Sequence, residues 1–272
     1  MSYANTEALG KQITIRSLQT CKQSGEKFAV IALYSAPMAA MAEKCGVEVV
    51  LVGDSLGMTV LGYSSTLPVT MEHMLHHVEA VNRGNNRSLI VADLPFMAYA
   101  TPEQAMQNAA RLMQAGAHMV KLEGGEWLAP TVHMLSERGI PVCAHLGLTP
   151  QSVNKFGGFR VQGRQQDQAE IIYRDALILE QAGADTLVLE CVPAPLAQRI
   201  TQALGIPTIG IGAGTHTDAQ VLVINDILGL TEQPPKFSRN FLAETGDISG
   251  AMAKYVADVK SGVFPDESHS FT

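Results

Sequence analysis

Four acidic residues each stand at the end of a short apolar run. They are Asp54, Asp93, Glu123 and Glu190. If the four runs are parallel strands of one closed barrel, their carboxylates meet at the same end of it. Carboxylates gathered at one place repel each other, and a hard divalent cation with oxygen ligands is the usual compensation. The pattern therefore predicts a Mg2+ site, whereas a helix cap or an ordinary ion pair is the alternative for any single acid.

A lysine accompanies the third acid of this set. Lys121 precedes Glu123 by two residues, and every second side chain of a strand points to the same face. We therefore expect the Lys121 ammonium to lie beside the acids, where it can bind an anionic group of a substrate.

Other patterns suggest sites but have simpler explanations. His73, His76 and His77 have a helical spacing suited to a metal, but no third type of ligand stands nearby, so we interpret them as a solvated helix face. Residues 210–214 (GIGAG) lack the third glycine of a dinucleotide-binding loop, and a tight turn after a strand explains them. Motifs of serine hydrolases and P-loop NTPases do not occur in the sequence.

The acids belong to elements that recur along the whole chain. Eight apolar runs are bounded by turn residues, and continuous apolarity is typical of parallel strands buried on both faces. The predicted strands are Phe28–Tyr34, Val47–Asp54, Ser88–Pro95, Met119–Gly124, Pro141–Leu146, Thr186–Val192, Pro207–Gly212 and Gln220–Asp226.

Several segments between these runs have the periodicity of helices. The clearest helix has Thr101 as N-cap and Pro102 at its first position, and it ends before Gly116. Further helices are predicted over Met71–Val81, Glu126–Arg138 and Asp167–Ala182. Eight strand and helix units in 272 residues fit a (β/α)8 TIM barrel better than an open doubly wound sheet, so we expect one barrel domain over residues 1–272.

Some segments exceed what the barrel requires. The segment before Phe28 and the helical tail Asp247–Val263 lie outside the eightfold pattern, and we expect them to cap the barrel or join subunits. The connections Ser55–Thr70 and Gly147–Gln166 follow the carboxyl ends of strands, where barrel enzymes place their active sites, and they are candidate lids.

Composition and charge exclude several kinds of partner. With 46% hydrophobic and 17% charged residues the chain can fill a large core, and its net charge of -7 supplies no basic field for nucleic acid. The longest nearly apolar stretch, Phe28–Ala42, is too short for a membrane span, and the first 20 residues do not read as a signal peptide. We expect a cytoplasmic protein with neither a nucleic-acid partner nor a membrane partner.

Several motifs resemble those of the ketopantoate hydroxymethyltransferase family. The first of them are residues 52–58 (VGDSLGM), 92–97 (ADLPFM), 120–125 (VKLEGG) and 145–151 (HLGLTPQ). The resemblance continues through residues 189–193 (LECVP), 210–214 and 236–242, and it covers nearly the whole chain in order. It implies a (β/α)8 barrel that moves a hydroxymethyl group from 5,10-methylenetetrahydrofolate to 3-methyl-2-oxobutanoate. The product is 2-dehydropantoate (ketopantoate), in the first committed step of pantothenate synthesis.

The resemblance also implies roles for individual residues. Asp54 and Asp93 are expected to bind both Mg2+ and the substrate, with Glu123 as a third metal ligand or just behind the metal.

The same resemblance assigns the remaining positions of the site. Ser55 and Lys121 would hold the oxo acid, Glu190 would act as the base, and His145 would form part of the wall. The family forms large homo-oligomers, commonly decamers.

Two departures from the family pattern concern the expected mouth of the barrel. Ser35 stands where the family usually has an aspartate, and residues 215–219 (THTDA) replace a more usual asparagine and glycine. We expect both to change details of the mouth.

Two other functions compete with this interpretation. A Mg2+-dependent carbon-carbon lyase or mutase of the isocitrate lyase type would share the barrel but use no folate. An inactive barrel would be expected to have a broken set of acids, which the sequence does not show.

Overall fold

The computed structural model describes residues 11–272. The strands are β1 (Phe28–Ala32), β2 (Val49–Val52), β3 (Leu89–Asp93), β4 (Met119–Glu123), β5 (Val142–Gly147), β6 (Thr186–Glu190), β7 (Thr208–Ile211) and β8 (Ala219–Val223). Each strand pairs in parallel with the next along the chain, and β8 returns to β1, so the sheet closes into a barrel. The predicted (β/α)8 fold class is confirmed.

Helices cover the outside of the barrel. They are α1 (Ile15–Ser24), α2 (Ala36–Lys44), α3 (Leu56–Thr59), α4 (Met71–Gly84), α5 (Pro102–Gln114), α6 (Ala129–Ser136), α7 (Val153–Phe156), α8 (Gln166–Gln181), α9 (Ala194–Ala203), α10 (Ile224–Ile227), α11 (Leu242–Thr245) and α12 (Ile248–Lys260). Short 3-10 turns lie at Glu126–Leu128, Pro150–Ser152 and Glu267–His269. Thr101 caps α5 as predicted, because its hydroxyl accepts a hydrogen bond from the Gln104 amide.

The last predicted strand was wrong at its end. Gln220–Asp226 was expected to be extended throughout, but β8 stops at Val223 and Asp226 lies in α10. A short apolar run does not by itself distinguish a buried strand from the first turn of a buried helix.

The connection between β7 and β8 interrupts the alternation of strands and helices. Residues 212–218 contain neither helix nor strand, so the chain returns to the amino end of the barrel by an irregular path. There Lys27 Nζ donates to the carbonyls of Thr215 and Thr217, and Lys22 pairs with Asp218 at 2.9 Å. Part of the departure from the family pattern at residues 215–219 therefore lies at the amino end of the barrel. That the departure changes details of the mouth stays a prediction.

Two apolar layers form the core. One lies between the strands and the outer helices, and the other fills the barrel interior with side chains such as Phe28, Val91 and Met119. Leu18 of α1 is only 1% exposed and packs into this interior layer. The predicted N-terminal cap is thus present as α1 at the amino end, while the part of that segment at residues 1–10 lies outside the described residues.

The predicted C-terminal tail belongs to the ring of helices. α12 packs against β1 and α2, and the Tyr255 hydroxyl lies 3.0 Å from the Val30 carbonyl and 2.9 Å from the Gln220 carbonyl. These carbonyls belong to β1 and β8, where the barrel closes. The helix therefore completes the barrel, and placing it outside the eightfold pattern was wrong. Among residues 11–272, no helix combines the length and the apolar character that crossing a membrane requires.

Candidate active site

A pocket of about 100 Å3 opens at the carboxyl end of the barrel. Its walls contain every residue that the sequence predicted for the site: Asp54, Ser55, Asp93, Lys121, Glu123, His145 and Glu190. Apolar side chains complete the lining, among them Leu51, Val188, Ile211 and Val221. The strand ends thus bring together residues that are up to 136 positions apart in the sequence.

Strand register places the charged side chains beside each other. Asp93 of β3 is the partner of Lys121 on β4, and Glu123 of β4 is the partner of His145 on β5. Lys121 Nζ lies 3.7 Å from Glu123 Oε1. The prediction that these two side chains share one face of β4 is therefore confirmed.

The two aspartates lie next to each other in the wall of the pocket. Asp54 follows β2 in a tight turn, and its backbone amide donates to Asp93 Oδ2 at 3.0 Å. Gly53 leaves the turn enough room, because a Cβ atom there would stand 2.9 Å from Ser55 Oγ and 3.4 Å from Asp93 Oδ2. Asp54 is 3% exposed and Asp93 2% exposed.

Burial and mutual repulsion oppose ionisation of these aspartates. Burial raises the pKa of Asp54 well above its usual range, and the charges of Asp93 and Glu123 raise it further. Burial also raises the pKa of Asp93, although Lys121 opposes the shift. A cation bound between the two carboxylates would offset their repulsion and stabilise their ionised forms.

Lys121 supplies the main positive charge in the pocket. Its Nζ lies 3.1 Å from Asp93 Oδ1. Burial alone would lower the pKa of this ammonium, but the surrounding carboxylates raise it instead. Lys121 is therefore charged at neutral pH.

Glu123 and His145 connect the acid pair to Glu190. His145 Nδ1 lies 3.2 Å from Glu123 Oε1, and its Nε2 lies 3.3 Å from Glu190 Oε2. Burial and Lys121 lower the pKa of His145, but the two carboxylates outweigh them and raise it. Hydrogen bonds from His145 and from the Gln151 backbone amide lower the pKa of Glu123 against the effect of burial. The Glu190 side chain is 16% exposed, which leaves it the most accessible acid of the four.

The arrangement fits a hard cation held by two carboxylates. Asp93 Oδ1 is buried and, apart from its ion-pair contact with Lys121, accepts no well-aligned hydrogen bond, so its lone pairs are available to a metal. Both oxygens of Glu123 already have polar partners. Within residues 11–272, no three His, Cys, Asp or Glu side chains are grouped closely enough to hold a metal by themselves. A cation between Asp54 and Asp93 would therefore need oxygens of water and substrate.

Ser55 is held by a tyrosine that the sequence did not assign to the site. The Tyr34 hydroxyl lies 2.8 Å from Ser55 Oγ, and burial raises the pKa of Tyr34 to about 12, so the phenol stays protonated.

The histidines of α4 contact nearby backbone atoms. His77 Nδ1 lies 2.8 Å from the Tyr34 carbonyl. His73 Nδ1 accepts a hydrogen bond from the Thr70 amide at the start of α4. The histidines of α4 thus have structural contacts, although His77 is partly buried rather than solvated.

Two further polar residues at the site were missed. Gln151 donates through its side chain to Asp54, and Tyr99 donates to Gln151. Gln151 ends the motif at residues 145–151, which was the available signal, but a glutamine carries no charge pattern that predicts its partner.

The sequence profile described as ketopantoate hydroxymethyltransferase matches residues 12–267. The chain belongs to this family. A 3-methyl-2-oxobutanoate hydroxymethyltransferase from Saccharophagus degradans is 73% identical over 263 residues, which cover 97% of each chain. The protein of the same name from Escherichia coli O157:H7 is 60% identical over 262 residues, covering 96% of this chain and 99% of that one. The chain is thus a transferase of this family.

Solved structures of other enzymes share the fold. Phosphonopyruvate hydrolase has a TM-score of 0.62 at 13% identity and covers 80% of this chain and 84% of its own. A 2,3-dimethylmalate lyase of the PEP mutase/isocitrate lyase superfamily has a TM-score of 0.57 at 16% identity, covering 76% and 80%. At these identities the likeness concerns the fold alone, so it does not favour the lyase or mutase alternative over a transferase.

Proposed function

We propose that this chain transfers a hydroxymethyl group from 5,10-methylenetetrahydrofolate to 3-methyl-2-oxobutanoate, giving 2-dehydropantoate in the first step of pantothenate biosynthesis. The observation that carries the proposal is the composition of one pocket. A buried pair of aspartates, a charged lysine and a more exposed glutamate line it in a chain of this family.

Mg2+ is the cation that suits the aspartate pair. Asp54 and Asp93 would hold it through their carboxylate oxygens. Glu123 would lie behind the cation without binding it directly, because both of its oxygens already have hydrogen-bond partners. When bound, Mg2+ supplies Lewis-acid polarisation of the 2-oxo group and so makes the C3 proton of the substrate removable.

Lys121 and Ser55 bind and orient the oxo acid. The charged ammonium of Lys121 lies 3.1 Å from Asp93 Oδ1 and therefore next to the proposed cation. A substrate carboxylate that contacts the ammonium and the cation together must lie between them. Ser55 is fixed by Tyr34 and can donate to the same substrate. The apolar residues Val188, Ile211 and Val221 then face the branched alkyl group.

Glu190 is the base. Its carboxylate is held 3.3 Å from His145 Nε2 but stays partly open to the pocket, so it can accept the C3 proton of a bound substrate. The C3 carbon then forms a bond to the methylene carbon of the folate donor as one of the two C–N bonds of that carbon breaks. Water replaces the second C–N bond and supplies the hydroxyl group, and the protons return to the nitrogens of the departing tetrahydrofolate.

The donor approaches from the open mouth. A cavity of about 200 Å3 beside Glu123 is lined by Phe96, Tyr99 and Trp127. The rings of Tyr99 and Trp127 are stacked, with an interplanar angle of 8° and centroids 6.4 Å apart. Trp127 is 63% exposed, and an aromatic wall of this kind suits the planar pterin ring of a folate.

One assay tests the reaction directly. Purified protein is incubated with Mg2+, 3-methyl-2-oxobutanoate and 5,10-methylenetetrahydrofolate, and ketopantoate is followed by mass spectrometry. We expect product only when all three are present. Cleavage or rearrangement of an oxo acid without folate would support the lyase or mutase alternative and contradict the proposal.

Other expectations stay predictions. They are a single domain over residues 1–272, a cytoplasmic location, the lack of a nucleic-acid or membrane partner, and a homo-oligomer that the family resemblance suggests is a decamer. Analytical ultracentrifugation of the purified protein would test the oligomer.

A further inference from the structure

Gln151 contacts two acids of the pocket from a loop. It lies in the 3-10 turn Pro150–Ser152 after β5 and is 6% exposed. Its side-chain Nε2 donates to Asp54 Oδ2 at 2.8 Å and to the Leu94 carbonyl at 3.0 Å. Its backbone amide donates to Glu123 Oε2 at 3.0 Å.

Tyr99 completes the hydrogen bonding of this side chain. The Tyr99 hydroxyl donates to Gln151 Oε1 at 2.5 Å. A carbonyl oxygen can only accept, so the Leu94 carbonyl fixes which end of the amide faces it. If the amide were rotated by half a turn, its oxygen would face both the Leu94 carbonyl and the Asp54 carboxylate. The orientation with Nε2 toward Asp54 is therefore the one that satisfies every partner.

We propose that Gln151, held in place by Tyr99, is a positioning residue for the cation site. By occupying Asp54 Oδ2 it fixes the rotation of that carboxylate and leaves the other oxygen to the pocket that Asp54 lines. This inference rests on the Mg2+ site proposed above. In this role neither residue touches the oxo acid or the metal, so both act on the cation through Asp54.

The chemistry of an amide suits this task better than that of a cation. Lys121 already places one positive charge beside Asp93. A second cation on Asp54 would repel a divalent metal, whereas a neutral amide orients the carboxylate and leaves its charge available. Partners that orient metal ligands in this way typically contribute about 10- to 100-fold to metal affinity.

The test measures Mn2+ binding by electron paramagnetic resonance in the parent protein, Gln151→Leu and Tyr99→Phe. We expect the Mn2+ dissociation constant to rise about 10- to 100-fold in Gln151→Leu. Tyr99→Phe removes one hydrogen bond at a greater distance from Asp54, so a rise of about 2- to 10-fold is expected. Should Gln151→Leu fail to fold, Tyr99→Phe decides the question.

Gln220→Leu is the matched control. Gln220 is also buried, and its Nε2 donates to the Gly214 carbonyl at 2.9 Å and to Thr217 Oγ1 at 2.8 Å, outside the acid pocket. This variant should melt at a lower temperature and bind Mn2+ like the parent.

Two results would overturn the inference. One is parent-like Mn2+ affinity in both Gln151→Leu and Tyr99→Phe, and the other is an equal loss of affinity in Gln220→Leu. Because Mn2+ alone is the probe, the outcome is separate from the reaction. A parent protein that binds Mn2+ but makes no ketopantoate would contradict the proposed function and leave the positioning role standing.

Discussion

Lys121 and Asp93 form a buried ion pair across β4 and β3, with Nζ 3.1 Å from Oδ1. The same ammonium lies 3.7 Å from Glu123 Oε1, and Asp54 is buried close by. One lysine therefore faces three carboxylates, so this part of the pocket has an excess of negative charge once all three are ionised. This excess is the physical reason to expect a divalent cation there.

Asp93→Asn should abolish Mg2+-dependent binding of 3-methyl-2-oxobutanoate, because an amide supplies neither the charge nor the second acceptor of a carboxylate. Calorimetry of Mg2+ and oxo acid checks this. Asp226→Asn is the control, since Asp226 is a buried acid that accepts from Thr231 outside the pocket. Unchanged Mg2+ and oxo-acid affinity in Asp93→Asn would show that Asp93 is not a ligand.

Lys121→Met should weaken oxo-acid binding by about 2 kcal/mol or more, which is about 30-fold, while Mg2+ affinity stays similar or rises. Removing a cation from a group of acids reduces its repulsion of the metal. Isothermal titration with each ligand separates the two effects. Lys254→Met, which removes a more exposed lysine paired with Asp258, should change neither affinity. Weaker Mg2+ binding in Lys121→Met would contradict this role.

Asp54→Asn should stabilise the metal-free protein by about 1 kcal/mol or more near neutral pH. The folded-state pKa of Asp54 is raised above its ordinary value of 3.8. Its contribution to stability is therefore fully present below that value and is lost as the pH rises through the folded-state pKa.

The gain from Asp54→Asn should accordingly grow as the pH rises above about 4, as thermal unfolding in a chelating buffer would show. Added Mg2+ should reverse the order of stabilities, because only the parent gains a ligand. A variant less stable than the parent at every pH would refute this account.

Tyr34→Phe tests how Ser55 is oriented. The phenol lies 2.8 Å from Ser55 Oγ, and His77 holds the Tyr34 backbone carbonyl independently of the ring. Loss of one hydrogen bond should raise the KM for the oxo acid about 2- to 10-fold and leave kcat nearly unchanged. Steady-state kinetics measure this, with Tyr173→Phe as the control, because Tyr173 lies on α8 under the Arg199 guanidinium and outside the acid pocket. A fall in kcat at constant KM would place Tyr34 in the chemical step instead.

The acids at the strand ends were predictable from two regularities of the sequence. These are the apolar runs that form the strands and the alternation of side chains along each strand. Asp93 and Glu123 each close an apolar run, and parallel strands of a barrel must end on the same side. The common face of Lys121 and Glu123 followed from strand alternation alone. The charged part of the site is therefore encoded locally along the chain.

Other features depend on contacts that no local pattern shows. Gln151 meets Asp54 across 97 positions, and its role follows from the Leu94 carbonyl and the Tyr99 hydroxyl on another connection. The irregular path of residues 212–218 is set by hydrogen bonds of Lys27 at the opposite end of the barrel. Contacts made by neutral hydrogen-bonding side chains and by backbone carbonyls produce no periodic pattern in a sequence, so they could not be predicted from it.

Glu190→Gln isolates the proton-transfer step. The amide keeps the shape of the side chain beside His145 but cannot accept the C3 proton, so substrate and Mg2+ should bind as in the parent. Removal of a general base typically costs about 10²- to 10⁴-fold in rate. The direct measurement is exchange of the C3 hydrogen of 3-methyl-2-oxobutanoate in D2O without folate, followed by NMR, because it separates proton removal from transfer. Glu170→Gln, a change in an exposed acid paired with Arg199, should exchange at the parent rate. If Glu190→Gln also exchanges at that rate, another group takes the proton.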